Sequence, residues 1–165
     1  MPHTTYIGIG SNLGTPEKNC TDAIEKLATH PDIFLKAQSP FYKTRPVGPI
    51  EQKWFVNAAL KVQTRLSPHD LLGTLLNTEK EMGRVRKEKW GPRLIDLDLL
   101  FYDNLILNSQ GLILPHPEIP NRRFVLTPLC DIAEDLLHPA LKKTVKDLLY
   151  ELTDDVEVSR LPDST

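Results

Sequence analysis

The sequence predicts an α+β fold, in which a mainly antiparallel sheet carries helices packed on one face. Two observations support this prediction. Strand-like and helix-like patterns follow one another in the order β-α-β-β-α-β, which is typical of a sheet with helices stacked on it. No internal repeat or long linker divides the 165 residues, and this length suits one hydrophobic core. We therefore expect a single domain over residues 1–165.

The predicted strands are short apolar or β-branched runs bounded by turn residues. The second strand is expected to break near Ser39 and Pro40, because a proline cannot donate a ladder hydrogen bond. A loop over 45–54, which contains two prolines and a glycine, separates the second strand from the third. In chain order, strands are predicted over 4–11, 32–44, 55–65, 94–102, 105–107 and at the start of 111–122.

Two helices between these strands are predicted from their start signals. Thr15 is expected to be the N-cap of the first helix, and a proline and an apolar stripe of helical period follow it. Ser67 is expected to cap the second helix, and Asp70 lies three residues later, as in a variant of the capping box. Gly83 is expected just beyond the second helix, where a left-handed residue is common.

The last third of the chain is expected to add a hairpin and two helices. The Asp-Asn pair at 103–104 resembles a hairpin turn that leads from the preceding strand into 105–107. Helices are predicted over 123–133 and 144–152, the first of them interrupted by Pro128.

Composition and charge favour a cytoplasmic protein without stable membrane contact. The formal net charge is −2, so no global field attracts nucleic acid or an anionic membrane. No apolar run approaches the ~20 residues that span a bilayer, and the N-terminal residues lack the pattern of a signal peptide. The two cysteines, Cys20 and Cys130, are far apart in sequence, which fits a reducing compartment better than a disulfide framework.

Two acids interrupt the apolar strand over 94–102. Asp96 and Asp98 are two positions apart, so their side chains leave the strand on the same face, with Cα atoms roughly 6.5 Å apart. Oxygen ligands of this kind suit a magnesium ion that is completed by water and substrate phosphates. The alternative is a solvent-facing strand edge that is paired with a neighbouring arginine, and the spacing fits both.

A basic segment leads into the acidic strand. Residues 84–93 hold five basic side chains and one acid. Alone, such a run is typical of a solvated face. Beside metal-binding acids it favours a polyphosphate site, because arginines bind the oxygens and metal neutralises the remaining charge. The sequence has no GxxxxGK[ST] loop, so side chains and metal, rather than a backbone cradle, are expected to hold the phosphates.

Three further segments carry weaker signals. The glycines of GIGSNLG at 8–14 depart from the dinucleotide-binding spacing and favour close backbone packing instead. His116 lies between two prolines, ahead of Arg122, and is either structural or a donor to a phosphate. Phe55 and Asn57 share a strand face, where they either bind a flat heterocycle or belong to the core.

Together these segments resemble the 6-hydroxymethyl-7,8-dihydropterin pyrophosphokinases of folate biosynthesis. The resemblance implies a ferredoxin-like two-layer α+β sandwich with extra C-terminal helices. It also implies transfer of pyrophosphate from ATP to the hydroxymethyl group of the pterin, with release of AMP. The similar segments are YIGIGSNLG at 6–14, YKTRPVGP at 42–49, FVNAA at 55–59, GRVRKEKWGPRLIDLDLLFYDN at 83–104 and LPHPEIPNRRFVLTPL at 114–129.

The resemblance assigns the polyphosphate site to the basic segment and the acidic strand. Asp96 and Asp98 are expected to hold two magnesium ions that bridge the ATP phosphates, and Asp96 to contact the acceptor as well. Arg84 and Arg93 are expected to clamp the transferred group, in a segment that includes a loop closing over the site. The other residues expected to contact ATP are Leu72, Glu79, Arg86, Trp90, Leu99, His116 and Arg122.

The resemblance also assigns a site for the acceptor. Phe55 and Phe124 are expected to sandwich the pterin ring, while Thr44, Val47 and Asn57 bind its edge. Enclosing both substrates in this way excludes water, which would otherwise compete as the acceptor.

Two other function classes fit parts of the sequence. A nucleic-acid-binding α+β domain could use 84–93 as a basic arm, but it lacks an aromatic RNP strand and leaves Asp96 and Asp98 without a role. A sugar-nucleotide transferase could use the D-x-D pair for its metal, although such enzymes usually need a larger scaffold. We therefore predict a monomeric enzyme with two small-molecule substrates and no nucleic-acid or membrane partner.

Overall fold

The structure, a computed structural model, describes residues 2–46, 48–49, 51–83 and 94–162. The strands in these residues are β1 His3–Ser11, β2 Ile33–Gln38, β3 Tyr42–Thr44, β4 Phe55–Thr64, β5 Asp96–Tyr102, β6 Leu107–Ser109, β7 Leu112–Leu114 and β8 Val158–Arg160. The α-helices are α1 Pro16–Ala28, α2 Pro68–Glu81, α3 Arg123–Ala133 and α4 Val145–Glu151, and a 3-10 turn spans Ile119–Asn121. In this described part of the chain, no helix is both long and apolar enough to cross a bilayer.

The main sheet of the described residues has six antiparallel strands. Its order is β5-β1-β4-β3-β8, and β2 also pairs with β4. The break predicted near Ser39 is confirmed, since β2 and β3 pair with successive parts of β4. At the break, the Ser39 Oγ accepts a hydrogen bond from the Ala59 N–H at 2.9 Å and so takes the place of a ladder carbonyl.

Both predicted helix starts are confirmed. The Ser67 Oγ accepts a hydrogen bond from the Asp70 N–H at 3.2 Å ahead of α2. Thr15 is the N-cap residue of α1, although its side chain makes no capping hydrogen bond. Gly83 follows α2 with a φ of 83°, the left-handed conformation that the predicted helix end requires.

Helices cover both faces of the sheet. α1 and α2 pack on one face, in a core that includes Ile7 and Leu71. α3 and α4 pack on the other face, in a core that includes Phe101 and Leu126. Fully burying such a side chain stabilises the fold by about 1.5–3 kcal/mol. The α+β class and the extra C-terminal helices are confirmed, but these helices lie on the second face, whereas the sequence predicted helices on one face.

The hairpin predicted after β5 is wrong. β6 pairs with β7 in a separate two-stranded sheet, and β5 is the edge strand of the main sheet in the described residues. The turn after β5 folds back onto β1, because Asp103 accepts a hydrogen bond from the Thr4 N–H at 2.8 Å and bonds His3 Nδ1 at 2.7 Å. The two acids of β5 therefore lie at the edge of the sheet.

Two further features of the C-terminal third differ from the prediction. α3 continues across Pro128, which is buried in the helix and removes only the N–H that would bond the Phe124 carbonyl. β8 pairs with β3 and was not predicted, because three residues of mixed polarity carry no strand pattern.

Candidate active site

The acids of β5 lie on the face of the sheet that α3 and α4 cover. Asp96 pairs with Gly10 of β1, and Asp98 pairs with Gly8. Because both partners are glycines, no β1 side chain stands beside the carboxylates at these positions. Both aspartates are half-buried, so the pair is neither fully enclosed nor an open surface feature.

A row of paired residues runs from Asp96 across the sheet. Asp96 pairs with Gly10, Gly10 with Asn57 of β4, and Asn57 with Tyr42 of β3. Directly paired residues in antiparallel strands share a face, so these positions line one side of the sheet. Asp96 and Asn57 are two strand spacings apart, roughly 10 Å.

Gly10 allows the Asn57 carboxamide to lie over β1. A Cβ atom at Gly10 would be 2.6 Å from Asn57 Nδ2, which is closer than such atoms approach in real structures. At Gly8 a Cβ atom would meet the Leu100 Cδ1 at 3.5 Å, an ordinary van der Waals contact. Of these two positions, only Gly10 requires a glycine, because the Asn57 carboxamide lies too close for a Cβ atom there.

Two buried polar atoms on this face, Thr44 Oγ1 and Asn57 Oδ1, have no hydrogen-bond partner within the described residues. Thr44 pairs with Phe55, two positions from Asn57 along β4, so the two atoms share a region of the sheet. Folded proteins leave few buried polar atoms unpaired, because each costs about 1–3 kcal/mol. A ligand that hydrogen bonds to both atoms would remove this cost.

Two half-buried aromatic side chains lie on the same side of the sheet as these atoms. Phe55 lies on the same face of β4 as Asn57, and Phe124 lies in the first turn of α3, against the core of the second face. The Arg122 guanidinium lies over the Phe124 ring, with its Cζ 5.6 Å from the ring centroid. A residue predicted to stack on the acceptor is therefore in contact with one predicted to bind ATP.

His116 is fixed near Asp98 and Arg122. Its backbone N–H donates a hydrogen bond to the Leu100 carbonyl at 2.9 Å, which ties the loop after β7 to β5. Its Nδ1 accepts a hydrogen bond from the Glu118 N–H at 3.1 Å, so the neutral ring carries its proton on Nε2. Burial lowers the pKa of His116, and the positive charge of Arg122 lowers it further, whereas the negative charge of Asp98 raises it. The neutral ring therefore has a donor at Nε2, and the predicted hydrogen bond from it to a phosphate stays a prediction.

Tyr42 and Asp131 join β3 to α3, and sequence analysis did not identify them. The Tyr42 Oη donates a hydrogen bond to the Asp131 carboxylate. Burial, together with this hydrogen bond, raises the pKa of Tyr42 to about 12, so the phenol stays protonated and remains a donor. Tyr42 precedes Thr44 by two positions, and this strand periodicity was the available signal that the two share a face.

Three residues expected to contact ATP pack on the α1–α2 side of the sheet. Glu79 of α2 is buried, and its Oε2 accepts a hydrogen bond at 2.7 Å from the Leu97 N–H, which lies between the two acids. Leu72 packs against the α1–α2 core, and Leu99 is buried within it. The structure brings Glu79 to the backbone of the acidic strand, and it does not bring the Leu99 side chain to the aspartate face.

The remaining predicted site residues lie outside the described residues and stay predictions. They are Val47, Arg84, Arg86, Trp90 and Arg93.

Three relatives show what most of this chain is similar to in sequence. A 2-amino-4-hydroxy-6-hydroxymethyldihydropteridine pyrophosphokinase from Methylorubrum extorquens is 43% identical over 147 residues, which cover 89% of this chain and 92% of the relative. A protein of the same name from Haemophilus influenzae is 41% identical over 151 residues, which cover 92% of this chain and 94% of the relative. The Folic acid synthesis protein fol1 of Pneumocystis carinii is 45% identical over 149 residues, 90% of this chain but 20% of the relative.

A solved structure and a family profile complete the comparison. The crystal structure of Plasmodium falciparum HPPK-DHPS with pteroate superposes with a TM-score of 0.74 at 13% identity, covering 92% of this chain and 42% of that one. At this identity the likeness concerns the fold, and it confirms the predicted ferredoxin-like class. The profile described as 7,8-dihydro-6-hydroxymethylpterin-pyrophosphokinase (HPPK) matches residues 6–134. The chain therefore belongs to the 7,8-dihydro-6-hydroxymethylpterin-pyrophosphokinase family.

Proposed function

We infer that this protein is an ATP-dependent pyrophosphokinase of folate biosynthesis. It transfers the pyrophosphoryl group of ATP to the hydroxymethyl group of 6-hydroxymethyl-7,8-dihydropterin and releases AMP. The family match and the relatives that carry the name of this enzyme support the inference. The structural observation that carries it is the pair of buried atoms, Thr44 Oγ1 and Asn57 Oδ1, that lack a partner in the described residues on the aspartate face.

The acceptor fits the polar and aromatic groups around these two atoms. A pterin edge carries N–H donors and ring acceptors, which match the hydroxyl of Thr44 and the carboxamide of Asn57. Phe55 and Phe124 supply the faces on which a flat ring stacks. A bicyclic ring that begins at Asn57 and lies along the paired row extends toward Asp96, roughly 10 Å away. Its hydroxymethyl group then faces the acids of β5.

The two aspartates fit a magnesium site. Carboxylates on one strand face provide the hard oxygen ligands that Mg²⁺ takes together with water and substrate phosphates. We propose that Asp96 and Asp98 hold two such ions, whose charge would neutralise that of the triphosphate. Both side chains are half-buried and so remain partly accessible to solvent, which supports this assignment.

The reaction is an in-line displacement at the β-phosphorus of ATP. The hydroxymethyl oxygen forms the new P–O bond, while the bond from the β-phosphorus to the oxygen that bridges to the α-phosphorus breaks, and AMP leaves with that oxygen. The hydroxyl proton leaves to a carboxylate or to water. His116 Nε2–H and the Arg122 guanidinium donate to phosphate oxygens, as do Arg84 and Arg93 in the proposal made from sequence. Binding both substrates in line removes most of the entropic cost of their encounter.

We also propose that residues 1–165 act as one pyrophosphokinase domain, as a monomer in the cytoplasm. The main sheet joins β1 and β8, strands from opposite ends of the chain, which supports one domain. Cys20 and Cys130 are both free thiols, which fits a reducing compartment.

Incubation with ATP, magnesium and 6-hydroxymethyl-7,8-dihydropterin tests this function. We expect one AMP for each acceptor consumed, and no AMP when the acceptor is omitted, as measured by chromatography of the nucleotides. Formation of ADP in place of AMP would identify an ordinary kinase and contradict the inference.

A matched pair of variants tests the position of the site. Asp98→Asn and Asp103→Asn each remove one carboxylate, from within β5 and from just beyond its end. Asp103 bonds the Thr4 N–H and His3, away from the acid pair, and an asparagine oxygen can still accept from that N–H. We expect AMP formation to fall at least about 100-fold in Asp98→Asn and to stay within about twofold in Asp103→Asn. Equal losses in both variants would contradict the assignment.

A further inference from the structure

The C-terminal segment 152–161, here called the clasp, pairs with the strand that carries Thr44. Within it, β8 pairs with β3 in antiparallel register, and Val158 lies opposite Thr44. The pairing extends on both sides, since the Arg45 N–H donates to the Glu157 carbonyl at 3.0 Å and the Leu161 N–H donates to the Phe41 carbonyl at 2.9 Å. The clasp therefore fixes the backbone on both sides of Thr44.

The same segment holds the first turn of α3. Arg123 Nε donates to Asp154 Oδ1 at 2.8 Å, and Nη2 of the same guanidinium donates to the carbonyls of Leu152 and Asp154 at 3.4 Å each. Arg123 directly precedes Phe124, the aromatic residue proposed to cover the acceptor ring. One guanidinium thus ties the start of α3 to three acceptor atoms of the clasp.

The clasp and the Tyr42–Asp131 hydrogen bond fix α3 at both of its ends. Tyr42 of β3 bonds Asp131 near the C-terminal end of α3, whereas Arg123 bonds Asp154 at its N-terminal end. The body of α3 is packed into the core through Leu126 and Leu129, and the two polar links add a fixed point near each end of the helix. The Arg123 link lies beside Phe124, so we infer that it helps to hold Phe124 relative to Thr44.

We propose that Arg123 and Asp154 are positioning residues for acceptor binding, which act by fixing Phe124 relative to Thr44. This inference rests on the proposed function, because it takes Phe124 and Thr44 as two walls of the acceptor site. Within the described residues, the bonds of Arg123 and Asp154 go to the clasp and not to the aspartate pair, so we expect the main effect on the acceptor and a smaller one on ATP through Arg122, which lies over Phe124. Asp154 lies beyond residue 129, where the last of the segments similar to the family ends.

The stability contribution of the pair is small enough to allow a test by substitution. The side chains of Arg123 and Asp154 are 26% and 30% exposed, so solvent screens the pair only in part, and its loss is expected to cost about 1–2 kcal/mol, or a few degrees in melting temperature. The chain also offers a matched control in the same C-terminal third. Lys143, which precedes α4, and Glu151, which ends it, form an ion pair at the same 2.8 Å distance; their side chains are about half exposed, and within the described residues this pair does not bond β3 or α3.

The experiment compares steady-state kinetics of the full chain with those of Arg123→Ala, Arg123→Lys, Asp154→Asn and the control Lys143→Ala. For Arg123→Ala and Asp154→Asn we expect the KM for the acceptor to rise about fivefold, with the KM for ATP within about twofold of the original value. Arg123→Lys should recover part of the loss, since a lysine can still reach the carboxylate but donates to fewer atoms. Lys143→Ala should change neither KM, and melting curves of all variants should coincide within a few degrees.

Each outcome bears on one of the two proposals. A selective rise in the acceptor KM supports the positioning role. An unchanged acceptor KM overturns it, and so does an equal rise in both KM values, since that would report general loosening of the fold. If the unsubstituted protein forms no AMP, the proposed function fails and the positioning role fails with it. An active unsubstituted protein with unaffected variants removes the positioning role alone.

Discussion

Replacing Gly10 with alanine tests whether the Asn57 carboxamide shapes the acceptor site. A Cβ atom at Gly10 would lie 2.6 Å from Asn57 Nδ2, so the carboxamide must turn away from β1. Because the displaced atom is the far end of a side chain, the fold can adjust. Overpacking of this kind costs about 1–3 kcal/mol, and the lower entropy of an unfolded chain with alanine in place of glycine offsets about 0.4–1 kcal/mol. We therefore expect the free energy of unfolding to fall by about 0–2.5 kcal/mol.

The effect of Gly10→Ala on acceptor binding should exceed its effect on stability. A turned carboxamide leaves a polar edge of the acceptor without its partner, which costs about 1–3 kcal/mol, or roughly 5- to 150-fold in affinity. The assay is the acceptor KM at saturating ATP, with urea unfolding of the same preparations. An acceptor KM within twofold of the original value, in a protein that folds normally, would show that the Asn57 carboxamide does not bind the acceptor.

Gly8→Ala is the matched control for this prediction. Gly8 lies two positions earlier on the same strand face, and a Cβ atom there meets Leu100 Cδ1 at an ordinary 3.5 Å. We expect Gly8→Ala to leave Asn57 in place and the protein at least as stable as before. Because Gly8 pairs with Asp98, the two variants are compared by their acceptor KM and not by their turnover. If both alanine variants raised the acceptor KM equally, the close approach at Gly10 would not be the cause.

Substitutions of the acid pair, of Glu79 and of His138 provide three further tests. Asp96→Ala and Asp98→Ala should keep the fold and lose magnesium-dependent AMP formation, and a near-normal rate in either variant would overturn the metal assignment. Glu79→Ala should lower the free energy of unfolding by about 1–3 kcal/mol, because the Leu97 N–H loses its acceptor. Glu79→Gln keeps an acceptor oxygen and should lower it less. Equal losses for the two variants in urea unfolding would contradict this prediction. Burial lowers the pKa of His138, so the unfolded chain binds its proton at higher pH than the native protein does, and stability should fall as the pH drops below 6.5. His138→Asn should flatten this slope by up to about 1.4 kcal/mol per pH unit, and an unchanged slope in urea unfolding at several pH values would count against it.

Sequence reasoning succeeded where a structural signal acts over a few residues. The Ser67 side chain caps α2 by accepting a hydrogen bond from the N–H three residues later. β2 ends at Gln38, just before Pro40, and a proline has this effect whichever strand is the neighbour. It failed where distant segments decide the outcome. The turn at Asp103 folds back onto β1, because its carboxylate bonds Thr4 and His3 at the start of the chain. Nothing in the local pattern of the turn distinguishes this arrangement from a hairpin.

In the candidate site, too, the sequence predicted what depends on neighbouring residues and missed what depends on distant segments. Strand periodicity placed Asp96 and Asp98 on one face, and it placed Phe55 with Asn57. Periodicity within one strand cannot say which strands are neighbours, so the row from Asp96 through Gly10 to Asn57 required the sheet order. The link between Arg123 and Asp154 spans 31 positions and involves a segment without any recognisable motif.

A crystal structure of the protein with a nonhydrolysable ATP analogue, magnesium and 6-hydroxymethylpterin would show the proposed site directly. We expect a heterocycle stacked between Phe55 and Phe124, with Thr44 Oγ1 and Asn57 Oδ1 each hydrogen bonded to its edge. We also expect phosphate oxygens and magnesium at Asp96 and Asp98. A heterocycle bound elsewhere, with those two buried atoms still unpaired, would rule out the proposed acceptor site.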